Sequence, residues 1–349
     1  MAGVNGSLNN TIEFGRGGFQ EARGWDSGGS YYVSNVLEEL DDANEFYYSP
    51  DTRTLYFLPN QSTPFPTTFV ASQHACLLSI HGTAIQPAAN ITLRNLVVTE
   101  TANTFMADYE APASGDWAIH RGGAVYVEGG ENVTVTESMF TQIATNAIVI
   151  SDWNYNISIT HNEMVWLGDS GIVIVGQSSG IDGVTNTNQP DLITVSHNLI
   201  HETGAYVKQS APTFVALSRR VEFNYNVLFN VPRSGINVND GFAGNKTIAW
   251  NVMFNTVRET SDHGPINTWD RQPYLTEQRG GVGHPSLVQH ESYIHHNALF
   301  NSYSSFYPID QSVQPACTAL SQRKLHPTPP AHTHFSSHRP LPALFLLQR

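Results

Sequence analysis

Lysine is nearly absent from this chain: Lys208, Lys246 and Lys324 are the only three in 349 residues. The formal charge is −13 and no Lys/Arg cluster interrupts the body of the sequence, which excludes the basic patch a nucleic-acid backbone requires. Cysteine is as scarce. Cys76 and Cys317 are too few for a disulfide framework or a cysteine-rich metal site, and they leave the redox compartment open. No apolar run approaches the roughly 20 residues of a membrane span. The opening MAGVNGSLNNTIEFGRGG also lacks the charged and then apolar pattern of an export signal, so the chain is either intracellular or begins upstream of Met1. Phosphate loops, zinc spacings and nucleophile elbows are missing too.

What is present is a repeat. NITLRNLVV (from Asn90), NVTVTESMF (Asn132), NISITHNEM (Asn156), DLITVSHNLIHE (Asp191), RVEFNYNVLFN (Arg220), NKTIAWNVMFN (Asn245) and SYIHHNALFN (Ser292) alternate β-branched residues, then place a small polar residue before apolar ones. The polar position falls at Ser138, Asn162, Asn198, Asn226, Asn251 and Asn297, separated by 24, 36, 28, 25 and 46 residues. That is solenoid spacing, and the last interval reads as one that skips a divergent coil. Each unit holds a second strand, from GAVYVEGG (Gly123) through NAIVISD, GIVIVG, TFVALS and GINVND to PINTWD (Pro265). Short strands without a 3.6-residue period predict an all-β fold, a parallel β-helix solenoid with an internal asparagine ladder in its turns. Ile200, Leu228, Met253 and Leu299, two residues past the ladder, form a matching apolar stack.

The two ends differ from this body. EFYYSPDTRTLYFLP (Glu45 to Pro59) reads as a β-hairpin in a small N-terminal β-rich layer. After Asp310 no acidic residue occurs, and four of the 17 basic residues lie in that tail, so 13 face 30 acidic ones ahead of it, close to −17. The expected organisation is a flanking segment over 1–85, the β-helix over 86–310, and a disordered tail over 311–349, which also fits read-through of non-coding sequence. Sequons at Asn5, Asn9, Asn60, Asn90, Asn132, Asn156 and Asn245, with so few lysines, lean towards an extracellular or secretory-pathway protein. Several sit at one place in the repeat, where turn residues before a strand explain them as well.

The chemistry concentrates in RETSDHGPINTWDRQP, Arg258 to Pro273, where five of sixteen residues are charged in a chain that is 13% charged. Pairing PINTWD with GINVND puts Ile236 over Ile266 and Val238 over Thr268, both inward, and turns Asn237, Asn239, Asn267 and Trp269 outward. Asp240 and Asp270 end these strands in the same register. Asp262 and His263 lie in the loop feeding the second strand, with Arg258, Glu259 and Arg271 around them. Tyr126 and Glu128 extend the same face if Val127 aligns with Val238. Further upstream, GDWAIHRGG offers His120 and Arg121, GDSG offers Asp169 at a coil corner, and AYVKQS holds Lys208. An outer sheet face carrying carboxylates, amides and an indole suits a polysaccharide, with paired carboxylates for acid/base work. For each group a plainer structural role competes: an Asx-turn at Asp262, ion pairs at Glu259 and Arg271, a solvated Lys208.

These stretches carry a resemblance. The coil repeat is similar to the right-handed parallel β-helix, or pectin lyase-like, superfamily over about Asn90 to Tyr303. NVLEELDDANEFYYSPDTRTLYFLP, HRGGAVYVEGGENVTV, GINVNDGF and SDHGPINTWDRQPYLT look like β-helix proteins related to glycoside hydrolase family 141. The resemblance implies a right-handed coil, carbohydrate activity, and catalytic aspartates near a groove, for which Asp240, Asp262 and Asp270 are the matching residues. The leading expectation is a monomeric glycoside hydrolase of a cell-wall type polysaccharide, working without metal or other cofactor. A lyase or epimerase using Lys208 or an arginine as base with Ca²⁺ is the alternative. A non-catalytic carbohydrate-binding or structural β-helix is the third.

Overall fold

The computed structural model describes residues 3–5, 11–13, 34–105, 107–110, 119–177, 188–239, 244–260, 263–269, 292–303, 309–311 and 320–321. These fall into two compact units, one ending at Gln73 and one beginning at His74. In the first unit Phe46–Ser49 and Thr54–Phe57 pair antiparallel, with Tyr47 opposite Tyr56, which gives the expected hairpin. Phe57, Phe65 and Phe69 pack edge-on around it, with ring centroids 5.5 to 6.3 Å apart.

The second unit is built from three parallel sheets visited in rotation. Sheet 1 holds Leu78–His81, Gly123–Glu128, Asn146–Ser151, Ile172–Val175, Thr213–Ala216, Ile236–Asn239, Ile266–Trp269 and Ile309–Gln311. Sheet 2 runs from Ala88–Arg94 through Gly130–Thr136, Asn154–Thr160, Pro190–Ser196, Arg219–Asn224, Thr247–Ala249 and Tyr293–His295 to Leu320–Ser321. Sheet 3 runs from Val97–Thr99 through Met139–Ile143, Glu163–Leu167, Leu199–His201, Val227–Phe229 and Val252–Phe254 to Ala298–Phe300. The chain is thus an all-β parallel solenoid, and no α-helix occurs among the described residues. None of their helices is long and apolar enough to cross a membrane.

Strand alternation sends every second side chain inward, where Val125, Ile148, Ile172, Thr213, Ile236 and Ile266 form one ladder of the core. Val133, Ile157, Ile193 and Val221 form another from sheet 2. Each such side chain stabilises the coil by about 1.5–3 kcal/mol through removal from water.

The corner from sheet 2 to sheet 3 always holds two residues, and from Ser138 onward the second is the ladder residue. Each ladder asparagine reaches back one coil: Asn226 Oδ1 accepts from Asn198 N at 3.0 Å, and its Nδ2 donates to Val195 O at 2.9 Å. The same pair of bonds recurs from Asn162 to Asn297. The bond from Asn251 N to Asn297 Oδ1 makes these two direct neighbours. The 46-residue interval therefore skips no coil: it is one coil carrying an insertion.

The first corner residue takes a left-handed φ of 49° to 61° at Asn95, Glu137, His161, His197, Tyr225, Trp250 and His296. Its side chain points outward, and the rings from His161 through His197, Tyr225 and Trp250 to His296 stack with centroids 4.2 to 6.3 Å apart. The solenoid also starts earlier than residue 86, because Leu78–His81 pairs with Gly123–Glu128. That strand is too short, and too mixed in polarity, to show in the repeat. In the tail, Leu320 and Ser321 pair with Ile294 and His295, and residues 322–349 lie outside the described set.

Candidate functional site

The outer face of sheet 1 carries the candidate site. Register places Val127, Ile150, Ile174, Val215 and Val238 in one inward row, so Val127 does align with Val238. The outward rows beside it read Ser79, Tyr126, Val149, Val173, Phe214, Asn237, Asn267 and His81, Glu128, Ser151, Val175, Ala216, Asn239. Both rows are polar at each end and mostly apolar between. Val149, Val173, Val175, Phe214 and Ala216 pack with Ile119, Ala211 and Leu217 in a second hydrophobic cluster. The expected continuous polar strip is therefore two clusters, four strand spacings apart from Tyr126 to Asn237, about 19 Å.

At one end, Arg121 gathers three stretches of chain. Its Nη1 donates to Ser151 Oγ at 2.9 Å and to Asp152 Oδ1 at 3.1 Å, and its Nη2 pairs with Glu110 and donates to Gly176 O at 3.0 Å. Glu110 is brought there by its antiparallel bridge to Ile119. Tyr126 Oη donates to Glu128 Oε2 at 2.5 Å, and burial, reinforced by that carboxylate, pushes the phenol up to about 12. Burial raises the Asp152 carboxyl above its ordinary value; Arg121 opposes the shift, while Glu128 and Glu110 add to it. Ser79 Oγ lies 2.5 Å from His81 Nε2, and the His81 ring sits 5.5 Å from that of Tyr126. His120 is turned away from this group: its Nδ1 meets Asp108 O at 2.7 Å, and burial lowers its pKa. Gly129 makes the one-residue corner after Glu128 at φ 69°, where a Cβ would stand 2.2 Å from Gly82 O. Only glycine fits so close a backbone approach.

At the other end, Asn237 and Asn267 are fully buried, and Asn267 Nδ2 donates to Asn237 Oδ1 at 2.5 Å. Asn239 is buried beside them, as is His263, which enters the strand at a left-handed φ of 76°. These amides face away from the core as expected, yet they do not line open surface. Asp240, Asp262, Asp270 and Arg271 lie outside the described residues, and so does the side chain of Trp269. Lys208 and Glu259 form a salt bridge at 2.8 Å, while Arg258 lies 3.9 Å from Glu202. Asp169, in the corner between sheets 3 and 1, accepts from Ser170 Oγ at 3.3 Å, and burial raises its carboxyl to about 7.

Structure thus brings Tyr126, Glu128 and Arg121 together, and separately Asn237, Asn239 and Asn267. Sequence reading passed over Glu110, Ser151, Asp152 and His81. The signal for Asp152 was available: NAIVISD laid on GAVYVEGG sets Ser151 against Glu128 and Asp152 one residue on. Glu110 had no such signal, because its place depends on a strap that belongs to no repeat.

No family model matches the chain, and none of the curated proteins does. A solved structure named "Glycoside hydrolase" superposes with a TM-score of 0.61 over 75% of this chain at 14% identity. The chain spans 49% of that protein's length, and at this identity the likeness speaks to the fold.

Proposed function

We propose that the chain is a right-handed parallel β-helix acting as a glycoside hydrolase on a cell-wall type polysaccharide. The observation that carries the reading is the unequal setting of Asp152 and Glu128 on adjacent coils of one outer face. Asp152 is pushed by burial towards its protonated form, and Glu128 accepts the Tyr126 hydroxyl. Two carboxyls whose surroundings differ in this way suit the acid and the base, or nucleophile, of glycoside cleavage. A solved protein of similar fold bears the name glycoside hydrolase, which supports the substrate class. The proposal keeps Asp240, Asp262 and Asp270, with His263, as a second candidate catalytic set. It invokes no cofactor and no partner beyond the glycan, and the sequons support an extracellular or secretory-pathway location.

The test is a polysaccharide panel read for new reducing ends and for ultraviolet absorbance from unsaturated uronides. Reducing ends alone are expected. Asp152→Asn with Glu128→Gln, and separately Asp240→Asn with Asp270→Asn, are then assayed on the accepted polymer. A loss of 100-fold or more, about 3 kcal/mol of barrier, in one pair names the catalytic set. Full activity in both double variants would sink the reading, and unsaturated products would replace it with a lyase.

A further inference from the structure

The apolar patch between the two polar ends of the outer face anchors a strap. Ile119 is buried there against Val149 and Val173. It exchanges both backbone hydrogen bonds with Glu110, each 2.8 Å long. The contact of His120 Nδ1 with Asp108 O at 2.7 Å ties the same two arms a second time. Glu110 belongs to no coil of the repeat, yet these ties fix it against Arg121.

Arg121 is shared between two carboxyls. Its Nη2 pairs with Glu110, whereas its Nη1 donates to Ser151 Oγ, to Asp152 Oδ1 and, at 3.3 Å, to Val175 O. The guanidinium is spent on the protein's own groups and holds the Asp152 carboxyl in one orientation. Among the described residues the charged groups acting on Asp152 are Arg121, Glu128 and Glu110, so three carboxyls share one cation. A guanidinium acting alone at this distance would favour the ionised carboxylate, the wrong form for an acid. Glu110 offsets that charge from the far side of the same guanidinium.

We infer that Glu110 is a positioning residue for the acid of the site: by pairing with Arg121 it lets the guanidinium orient Asp152 without taking its proton. The inference rests on the glycosidase reading above, with Asp152 as the acid, and adds to it a residue that acts only through Arg121. The strap thereby has a chemical task, which is to deliver a counter-charge that no coil of the repeat supplies.

The experiment uses the full chain and the polymer accepted in the panel. Glu110→Gln keeps an oxygen for Arg121 and removes the charge; Glu110→Asp keeps the charge. Without that charge Asp152 loses a group that raises its pKa and meets an Arg121 no longer offset, and both changes lower it. The basic limb of the kcat profile should therefore move to lower pH by about half a unit or more in Glu110→Gln, and return towards wild type in Glu110→Asp. A merely structural Glu110 would lower the rate alike at every pH. The carboxyl carbon resonance of Asp152, assigned by its loss in Asp152→Asn, should show the same downward shift by NMR with no substrate present. A titration and a basic limb both unmoved in Glu110→Gln would overturn the inference while leaving the glycosidase reading in place. Wild-type activity in Asp152→Asn would remove Asp152 as the acid, and the inference with it.

Discussion

Asp169 shows how much one side chain can matter to this scaffold. Unfolded, its carboxyl loses its proton near 3.8; in the corner between sheets 3 and 1 burial holds that proton until about pH 7. Between those values the folded chain keeps a proton the unfolded chain has lost. The stability this group contributes is therefore fully present below pH 3.8 and lost as pH rises through 7. Asp169→Asn should accordingly stabilise the protein at pH 8, by as much as about 4 kcal/mol for a shift of some three pKa units, and do little at pH 4. Urea melts of both proteins at the two pH values check this, and a benefit as large at pH 4 as at pH 8 would contradict it. Single residues of this kind were only partly legible. GDSG marked Asp169 as a corner acid, but its burial depends on the stretch around Gly204, whose backbone N donates to Asp169 O one coil away.

At the scale of elements, the two-residue corner organises the coil. Its first position costs about 1–2 kcal/mol for a left-handed backbone, offset by ring stacking along the corner and by the asparagine that follows. Asn226→Ala leaves the Asn198 N–H and the Val195 carbonyl without their partner inside the solenoid. We expect a loss of about 3 kcal/mol, seen as a lower urea midpoint, and a much smaller one for Asn230→Ala, whose amide bonds at a half-exposed edge. Equal effects would deny the ladder its role. The repeat was legible because each asparagine does the same job in every coil, so its spacing survives in the sequence. The site was not, because Arg121, Glu110 and Asp152 come from three stretches of unequal length and meet only once the coils are stacked. The outward turn of Asn237 and Asn267 followed from strand alternation. Their burial did not, since alternation says nothing about what lies over a face.

As a whole, the solenoid binds each coil chiefly to the coils before and after it, so stability should be graded rather than uniform. Val133, Val135, Ile157, Ile159 and Val195 are 0–1% exposed, while Ile80 reaches 9% and Ile294 7%. Native-state hydrogen exchange should find the slowest amides in the coils from Gly130 to Ser196 and progressively faster ones towards Leu93 and Ile294. One uniform protection value across all of these would argue for an all-or-none domain instead.

The contrast between corners has a consequence for how such a protein can change. From sheet 2 to sheet 3 every turn has two residues, whereas from sheet 3 to sheet 1 the connection ranges from the two residues Ala144–Thr145 to the 23 of 100–122, and from sheet 1 to sheet 2 from Gly129 alone to the 23 of 270–292. One edge behaves as a fixed spine, and the rest of the turn as a margin open to insertion. A lineage could rewrite what the outer face grips by lengthening that margin, coil by coil, without touching the code that winds the scaffold.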